Sequence, residues 1–248
     1  MKEIVNEAVN WIKIQDIKGC ITGSALLDYF EGQDIDVFVY DEASFTKMLY
    51  SMHFNPMFQL LEPIEQWKFK EWTTSKQSSL KKLGLITIKF KYNLAVDVNL
   101  IFKLKDTNLF NVISSFDLDI ICKGYDIQTK QYLSLSQNDG KTAHWNKWNT
   151  NFYAEDVWTI NRLLRQFQRT VKYHNRGYNT DLVVEKYIEL LDKLIDYHNI
   201  FNSTNFDEKL TIMKENGKIL KQIFKTWLEK HELTEEELIL LEQKIKEL

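Results

Sequence analysis

Ile21-Thr22-Gly23-Ser24, followed nine residues later by Asp34-Ile35-Asp36-Val37-Phe38-Val39, is the stretch on which the reading of this chain turns. In a strand alternate side chains share a face, so Asp34 and Asp36 point one way while Ile35, Val37 and Val39 point the other, into a core. Two carboxylates side by side repel unless a cation lies between them. A donor set of hard oxygens suits Mg2+ or Mn2+, the ions that accompany nucleoside triphosphates. Gly23-Ser24 leads into a short helix over residues 24–30, and the whole pattern reads as a phosphate-and-metal site. The plainer reading is a solvated edge strand with an aspartate turn after Gly32.

Outward from that stretch, the composition sets few limits. The 248 residues are 44% hydrophobic, enough for one large domain or two small ones, and a net charge of −3 argues neither for nor against nucleic acid. Cys20 and Cys122 lie in apolar, strand-like runs and read as buried thiols. No CxxC or Cys/His cluster suggests a structural zinc. The first residues lack the apolar run of a signal peptide and no stretch approaches a membrane span, so a soluble, cytoplasmic protein with no membrane partner is expected.

The hydrophobic period changes along the chain. As far as Leu135 apolar residues alternate or run in short β-branched stretches; beyond Asn151 they recur at three and four. The polar, turn-rich stretch 136–142 separates the two, giving an α/β domain over 1–140 and a helical domain over 141–248. Strands are expected over 17–22 and 34–40, a helix over 44–53, and irregular chain around Pro56 and Pro63. A hairpin of 85–90 and 94–102 turns at Tyr92-Asn93, and another joins 120–125 to 130–135. The second half offers a long helix from Glu155-Asp156, two more over 182–198 and 206–230, and a last one whose start is marked. Thr234 and Glu237 form a capping box there, with Leu233 and Leu238 as its hydrophobic staple.

Asp97 interrupts Leu94-Ala95-Val96 and Val98 in a run that otherwise asks for burial, where an ionised carboxylate is costly unless paired or metal-bound. On a strand beside that of Asp34 and Asp36 it would complete a three-carboxylate site for two divalent ions. Gly23-Ser24, Asp34-x-Asp36 and a later strand aspartate together resemble the signature of the nucleotidyltransferase fold, the DNA polymerase β-like superfamily. The resemblance covers roughly the first hundred residues. It implies that Gly23 and Ser24 bind the triphosphate at a helix N-terminus, that Asp34 and Asp36 hold Mg2+ or Mn2+, and that Asp97 completes the site and helps deprotonate an acceptor hydroxyl. The spacing from Asp36 to Asp97 exceeds what is usual in that family. The excess, residues 55–82, carries Trp67, Lys68, Lys70, Trp72 and Lys76, and is either a substrate-binding insertion or a surface excursion with two packed tryptophans.

Asp117-Leu118-Asp119 repeats the aspartate spacing without a Gly-Ser before it and reads as structural or substrate-side. Its string 115–122 is also similar to segments of nucleotidyltransferase-like proteins of phages and large DNA viruses, as is the Lys172-Tyr173…Arg176-Gly177-Tyr178 element. On the helix from Glu155, Val157, Ile160, Leu164, Phe167 and Val171 make a core stripe, and Arg162, Arg165, Arg169, Lys172 and Arg176 occupy roughly the opposite face. That row is either a phosphate clamp, for triphosphate or nucleic acid, or a solvated face. His144, Trp145, Trp148, Phe152 and Tyr153 either stack on a base or seal a domain interface. The histidines show no ligand spacing, and His174 reads as a surface residue beside the cationic row.

The expectation is thus an α+β protein, a nucleotidyltransferase mixed sheet with flanking helices followed by a helical domain. It would be an enzyme moving a nucleoside monophosphate from a triphosphate, bound between the domains, onto an acceptor hydroxyl of RNA, protein or a small molecule. The competing expectation is a catalytically inactive nucleic-acid-binding or partner-binding protein of the same fold, such as a toxin–antitoxin component. The viral resemblance points to a phage or host-cytoplasm setting. Oligomeric state, acceptor and choice of base are not legible.

Overall fold

The structure, a computed structural model, describes residues 2–27, 32–61, 85–136, 140–149, 160–202 and 208–247. The chain divides into two compact units, Met1–Gln137 and Asn138–Leu248. The segment 62–84 with Trp67 and Trp72, the residues 150–159 with the expected helix start at Glu155, and the aromatics Phe152 and Tyr153 lie outside the described residues.

The first unit is built on a seven-stranded mixed sheet in the order β3-β4-β5-β2-β1-β6-β7. The strands are β1 Gly19–Thr22, β2 Ile35–Val39, β3 Phe58–Leu60, β4 Leu85–Tyr92, β5 Val96–Lys103, β6 Lys123–Asp126 and β7 Tyr132–Ser134. β2 and β5 run parallel and the other neighbours pair antiparallel. Alternation decides which face each residue takes. Ile21, Ile35, Val37, Val39, Ile88, Phe90, Val98 and Leu100 face one side, where α1 (Lys2–Lys13) and α2 (Glu42–His53) cover them. Helix α1 buries Val5, Ala8, Val9 and Ile12, the i, i+3, i+4, i+7 stripe of an amphipathic helix. Helix α2 starts at Asp41, whose side chain accepts from the Ser44 backbone N–H, and buries Phe45, Met48, Leu49 and Met52.

The described residues cover the opposite face of the sheet only in part. There α3 (Leu109–Ser114) packs Leu109, Val112 and Ile113 on Cys20, Phe38, Ile101 and Cys122. Gly124 makes this approach possible, because a Cβ there would stand 2.2 Å from Leu109 Cδ1. Both cysteines are fully buried, as their sequence context indicates. Burial pushes the Cys20 thiol up to about 12.

The second unit is helical: α4 Ile160–His174, α5 Asp181–Asn202, α6 Glu208–Lys230 and α7 Glu235–Glu247. Leu163, Leu164 and Phe167 of α4 meet Tyr187 and Leu191 of α5 and Leu220, Phe224 and Trp227 of α6 in its core. Phe167 stacks on Phe224 at 4.0 Å between centroids, and its ring stands edge-on to Trp227 at 5.8 Å. The capping box at α7 is present: Glu237 accepts from the Thr234 backbone N–H, and Thr234 Oγ1 accepts from the Glu237 N–H at 3.2 Å. No helix among the described residues is long and apolar enough to cross a membrane.

The α+β class and the sheet-then-helices order agree with the sequence reading. Local differences have physical causes. Of residues 24–30, expected as a short α-helix, 28–30 lie outside the described residues, and a 3-10 turn spans Gly23–Leu26 with the chain extended at Leu27. The expected strand 120–125 begins later, at Lys123, because Asp119–Ile121 closes a 3-10 turn first. The hairpin between β4 and β5 turns over Asn93, Leu94 and Ala95, with Asn93 and Leu94 both in the left-handed region at φ of 49° and 56°.

Candidate active site

The partly open face of the sheet carries one polar row. Pairing registers align Lys89 with Asn99, Asn99 with Asp36, and Asp36 with Thr22, across β4, β5, β2 and β1. Residues opposite one another share a face, and Asp97 precedes Asn99 by two, so Asp97 stands on the same face as Asp36, one strand over. Continuing the parallel register one residue before Ile35 sets Asp34 level with Asp97. Strand spacing and rise put the Cα atoms of Asp36 and Asp97 about 8 Å apart.

The turn after β1 closes on these acids. Ser24 Oγ donates to Asp34 Oδ1 at 2.7 Å and lies 3.2 Å from the Asp34 carbonyl oxygen. Gln33 Nε2 donates to the Ser24 carbonyl and fixes the other end of the turn. Gly23 has φ of +70°, and a Cβ built on it would lie 3.0 Å from Asp36 Oδ2. Glycine is thus required twice, for the backbone angle and for the approach of the carboxylate. Gly23, Ser24, Asp34 and Asp36 are brought together by these contacts.

Two residues not singled out by sequence reasoning complete the set. Asn99 Nδ2 donates to Asp36 Oδ1 at 2.9 Å, and Lys91 Nζ lies 3.1 Å from Asp97 Oδ1. Asn99 was findable, because it follows Asp97 at the strand period. Lys91 follows only from the hairpin register that sets it opposite Asp97. The Asp97 side chain is 54% exposed, so this ion pair is a weak competitor for the carboxylate. Thr22 is fully buried beside Asp36, and its Oγ1 has no hydrogen-bond partner among the described residues.

Replacing the expected helix by a four-residue 3-10 turn removes most of the dipole on which phosphate binding at Gly23-Ser24 was argued. What stays is the chemistry of the donors. Asp34, Asp36 and Asp97 offer carboxylate oxygens, and the Asn99 amide nitrogen holds one oxygen of Asp36. Hard oxygen donors of this kind suit Mg2+ or Mn2+ rather than softer ions, and the three carboxylates would have to draw together on the ion, because among the described residues they do not all lie within 4.8 Å of one another.

Asp117 and Asp119 are buried, and the turn Asp119–Ile121 packs against Gly23–Leu26. Asp117 Oδ1 accepts from the Leu118 N–H at 3.0 Å. In the second unit, Leu164 and Phe167 of the core stripe are buried, while Arg165, Arg169 and Lys172 are exposed and Arg162 and Arg176 are half-buried. The Arg176 guanidinium lies over the Tyr173 ring at 5.3 Å.

No family model matches this sequence, and no curated protein matches it. Among solved structures, the chain is similar to a Thermotoga maritima CCA-adding enzyme complexed with tRNA, at 10% identity and a TM-score of 0.47. That match covers 77% of this chain and 45% of the other, so the chain spans under half of that protein's length. Two structures of a tRNA-processing enzyme also match. The apo form gives a TM-score of 0.37 at 10% identity, covering 92% of this chain and 76% of that one. The form with CTP gives 0.36 at 11%, covering 99% and 81%.

Proposed function

We propose that the first unit is a nucleotidyltransferase that moves a nucleoside monophosphate from a triphosphate to an acceptor hydroxyl. The observation that carries this reading is the closure of Gly23-Ser24 onto Asp34 and Asp36, with Asp97 on the same face of the adjacent strand. Asp34, Asp36 and Asp97 would hold Mg2+ or Mn2+, which supplies charge neutralisation for the triphosphate and the departing pyrophosphate.

The chain's own residues do the rest by position. Gly23, lacking a side chain, leaves its backbone open to close approach by a phosphate. Ser24 orients Asp34 through its hydroxyl, and Asn99 orients Asp36 through its amide. Asp97, exposed at the open end of the row, accepts the acceptor's proton as its oxygen attacks the α-phosphorus. A phosphorus–oxygen bond forms there, the α–β bridging bond breaks in line, and pyrophosphate leaves with the electron pair. Such catalysis rests on positioning and charge and needs no covalent enzyme intermediate. The exposed cations Arg165, Arg169 and Lys172, with Arg162, are assigned to phosphate, of the triphosphate or of an RNA acceptor.

A second reading has one observation in its favour. Lys91 Nζ lies 3.1 Å from Asp97 Oδ1, a pairing that an inactive protein of this fold, binding nucleic acid or a partner, could keep. One experiment separates the two: incubation with each α-32P-labelled triphosphate, Mn2+ and a cell lysate, followed by separation of labelled RNA, protein and metabolites. The enzyme reading expects label in one fraction and none with the Asp34→Asn/Asp36→Asn double variant. Label retained by a well-folded double variant refutes the site, and no label with any triphosphate favours the inactive protein.

A further inference from the structure

Three helix ends meet in the second unit. His174 is the last residue of α4, Asp181 the first of α5, and His231 the first after α6. One ring nitrogen of each histidine and a carboxylate oxygen of Asp181 all lie within 4.8 Å of one another. His231 Nε2 and Asp181 Oδ1 are 2.9 Å apart. The two imidazoles lie parallel at 4.7 Å between centroids, and the Trp227 ring stands edge-on to both, at 5.0 and 5.2 Å. We propose that His174, Asp181 and His231 form a site for a first-row divalent transition cation, of which zinc is the type, that ties the three helix ends together.

The chemistry of the donors differs from that of the carboxylate row. Two imidazole nitrogens and one carboxylate are borderline donors, suited to zinc, cobalt or nickel rather than magnesium. Three protein ligands leave the fourth position of a tetrahedral ion to water. Bonds of 2.0–2.1 Å set tetrahedral ligands about 3.4 Å apart, so the cluster closes on an ion by side-chain rotation of roughly 1.5 Å or less. Asp181 and His231 are 37% and 38% exposed, which leaves an entry path from solvent.

The interior histidine shows an unmet need. His174 Nδ1 is a buried atom with no hydrogen-bond partner among the described residues. A buried polar atom left unpaired is costly, and ligation, or rotation of the ring on ligation, relieves it. Burial, with the neighbouring His231, holds the His174 imidazole below its ordinary value against the opposing pull of Asp181. Sequence spacing hid the group, because its members lie 7 and 50 residues apart and meet only when three helices pack.

The test uses the full chain, stripped of metal by a chelator, titrated with Zn2+ and with Co2+, and Mg2+ as the control. The proposal expects one equivalent of Zn2+ bound in addition to any held by the carboxylate row, still present in an Asp34→Asn/Asp36→Asn background. At a hundredfold excess over Kd the melting temperature rises by about 5–10 °C. Co2+ gives visible d–d absorption. Two variants keep the fold while removing a ligand. His231 has φ of +54°, which asparagine tolerates well, so His231→Asn leaves the backbone satisfied. Asp181→Asn keeps the shape of the side chain. Each should weaken Zn2+ binding by about 100-fold and abolish the Co2+ spectrum, with unchanged helical circular dichroism. Absence of stoichiometric Zn2+ binding overturns the proposal, as does binding that survives both variants.

Discussion

Gly23→Ala and Gly32→Ala form a matched pair that isolates the contact between the Gly-Ser turn and the acids. Both glycines sit at nearly the same left-handed angle, φ of +70° and +71°. An alanine there costs about 1–2 kcal/mol of backbone strain. For a chain of this size that lowers the melting temperature by about 2–8 °C in either variant. The surroundings differ. A Cβ at Gly32 meets nothing within 4 Å, whereas at Gly23 it lies 3.0 Å from Asp36 Oδ2 and forces that carboxylate to move by a few tenths of an ångström. Misplacement of a reacting group by about 1 Å can cost a hundredfold in rate, so this displacement should cost about tenfold in transfer while Gly32→Ala costs little. Denaturant melts give the stability of each variant. Labelled-triphosphate transfer, or the Mn2+-dependent rise in melting temperature with triphosphate, gives the function. Equal loss of function in the two variants at equal loss of stability would refute the claim that Gly23 exists to admit Asp36.

Three further outcomes follow from single contacts. Asn99→Asp sets a second carboxylate directly beside Asp36 in place of a donor 2.9 Å away. It should be about 1–3 kcal/mol less stable than wild type in chelator and gain more from Mn2+, read by melts with and without the ion. Asp41→Ala removes the N-cap of α2 and should cost about 1 kcal/mol at pH 7. Burial raises the Asp41 pKa, but the Ser44 N–H and hydroxyl and Lys18 outweigh it and hold the carboxyl below its ordinary value. This stabilisation is complete above about pH 4 and is lost as pH falls through the depressed value, so the gap between Asp41→Ala and wild type should close in acid melts. Cys20, raised to about 12 by burial, should resist a disulfide reagent at pH 8 in the native protein and react on unfolding. Stability should fall as pH rises from about 9, where the unfolded thiol ionises, toward 12.

What the sequence revealed of this fold follows a physical line. Strands with one buried face announce themselves through alternation, so β4 and β5 could be read from their own patterns and the face carrying Asp36 from Ile35, Val37 and Val39, while β1, buried on both faces, showed as a short apolar run. Helix α2 was legible from Phe45, Met48, Leu49 and Met52 at helical spacing, and the α7 start because a capping side chain and its partner sit three residues apart. Helix α1 has no place in the sequence reading although Val5, Ala8, Val9 and Ile12 carry the full amphipathic spacing. Short α3 and β3 have too few residues for a period to register, at six and three. The extent of the turn after Gly23 was misjudged because local propensity favours a helix where Gln33 and Asp34 instead pull the chain around.

The two candidate sites mark the boundary of what spacing can show. Asp34, Asp36 and Asp97 were nameable because a strand imposes a period of two on its own residues, and one register shift decides the face for all of them. His174, Asp181 and His231 obey no period, since each sits where a helix begins or ends. Helix ends place side chains by the angle at which helices cross, and crossing angles depend on the whole apolar seam of α4, α5 and α6. Phe167 stacked on Phe224 and Trp227 standing edge-on to both stacked imidazoles set that seam here. A substitution that shifts it, such as Trp227→Leu, should therefore spread the three ligands and lose Zn2+ affinity without touching a donor atom. The contacts of the carboxylate row lie within the first unit, so any Mn2+-dependent rise in melting temperature proposed for that row should survive the same change. If both metal responses fell together while the fold persisted, the two sites would not be independent, and the division of chemistry between carboxylate row and helix ends would be wrong.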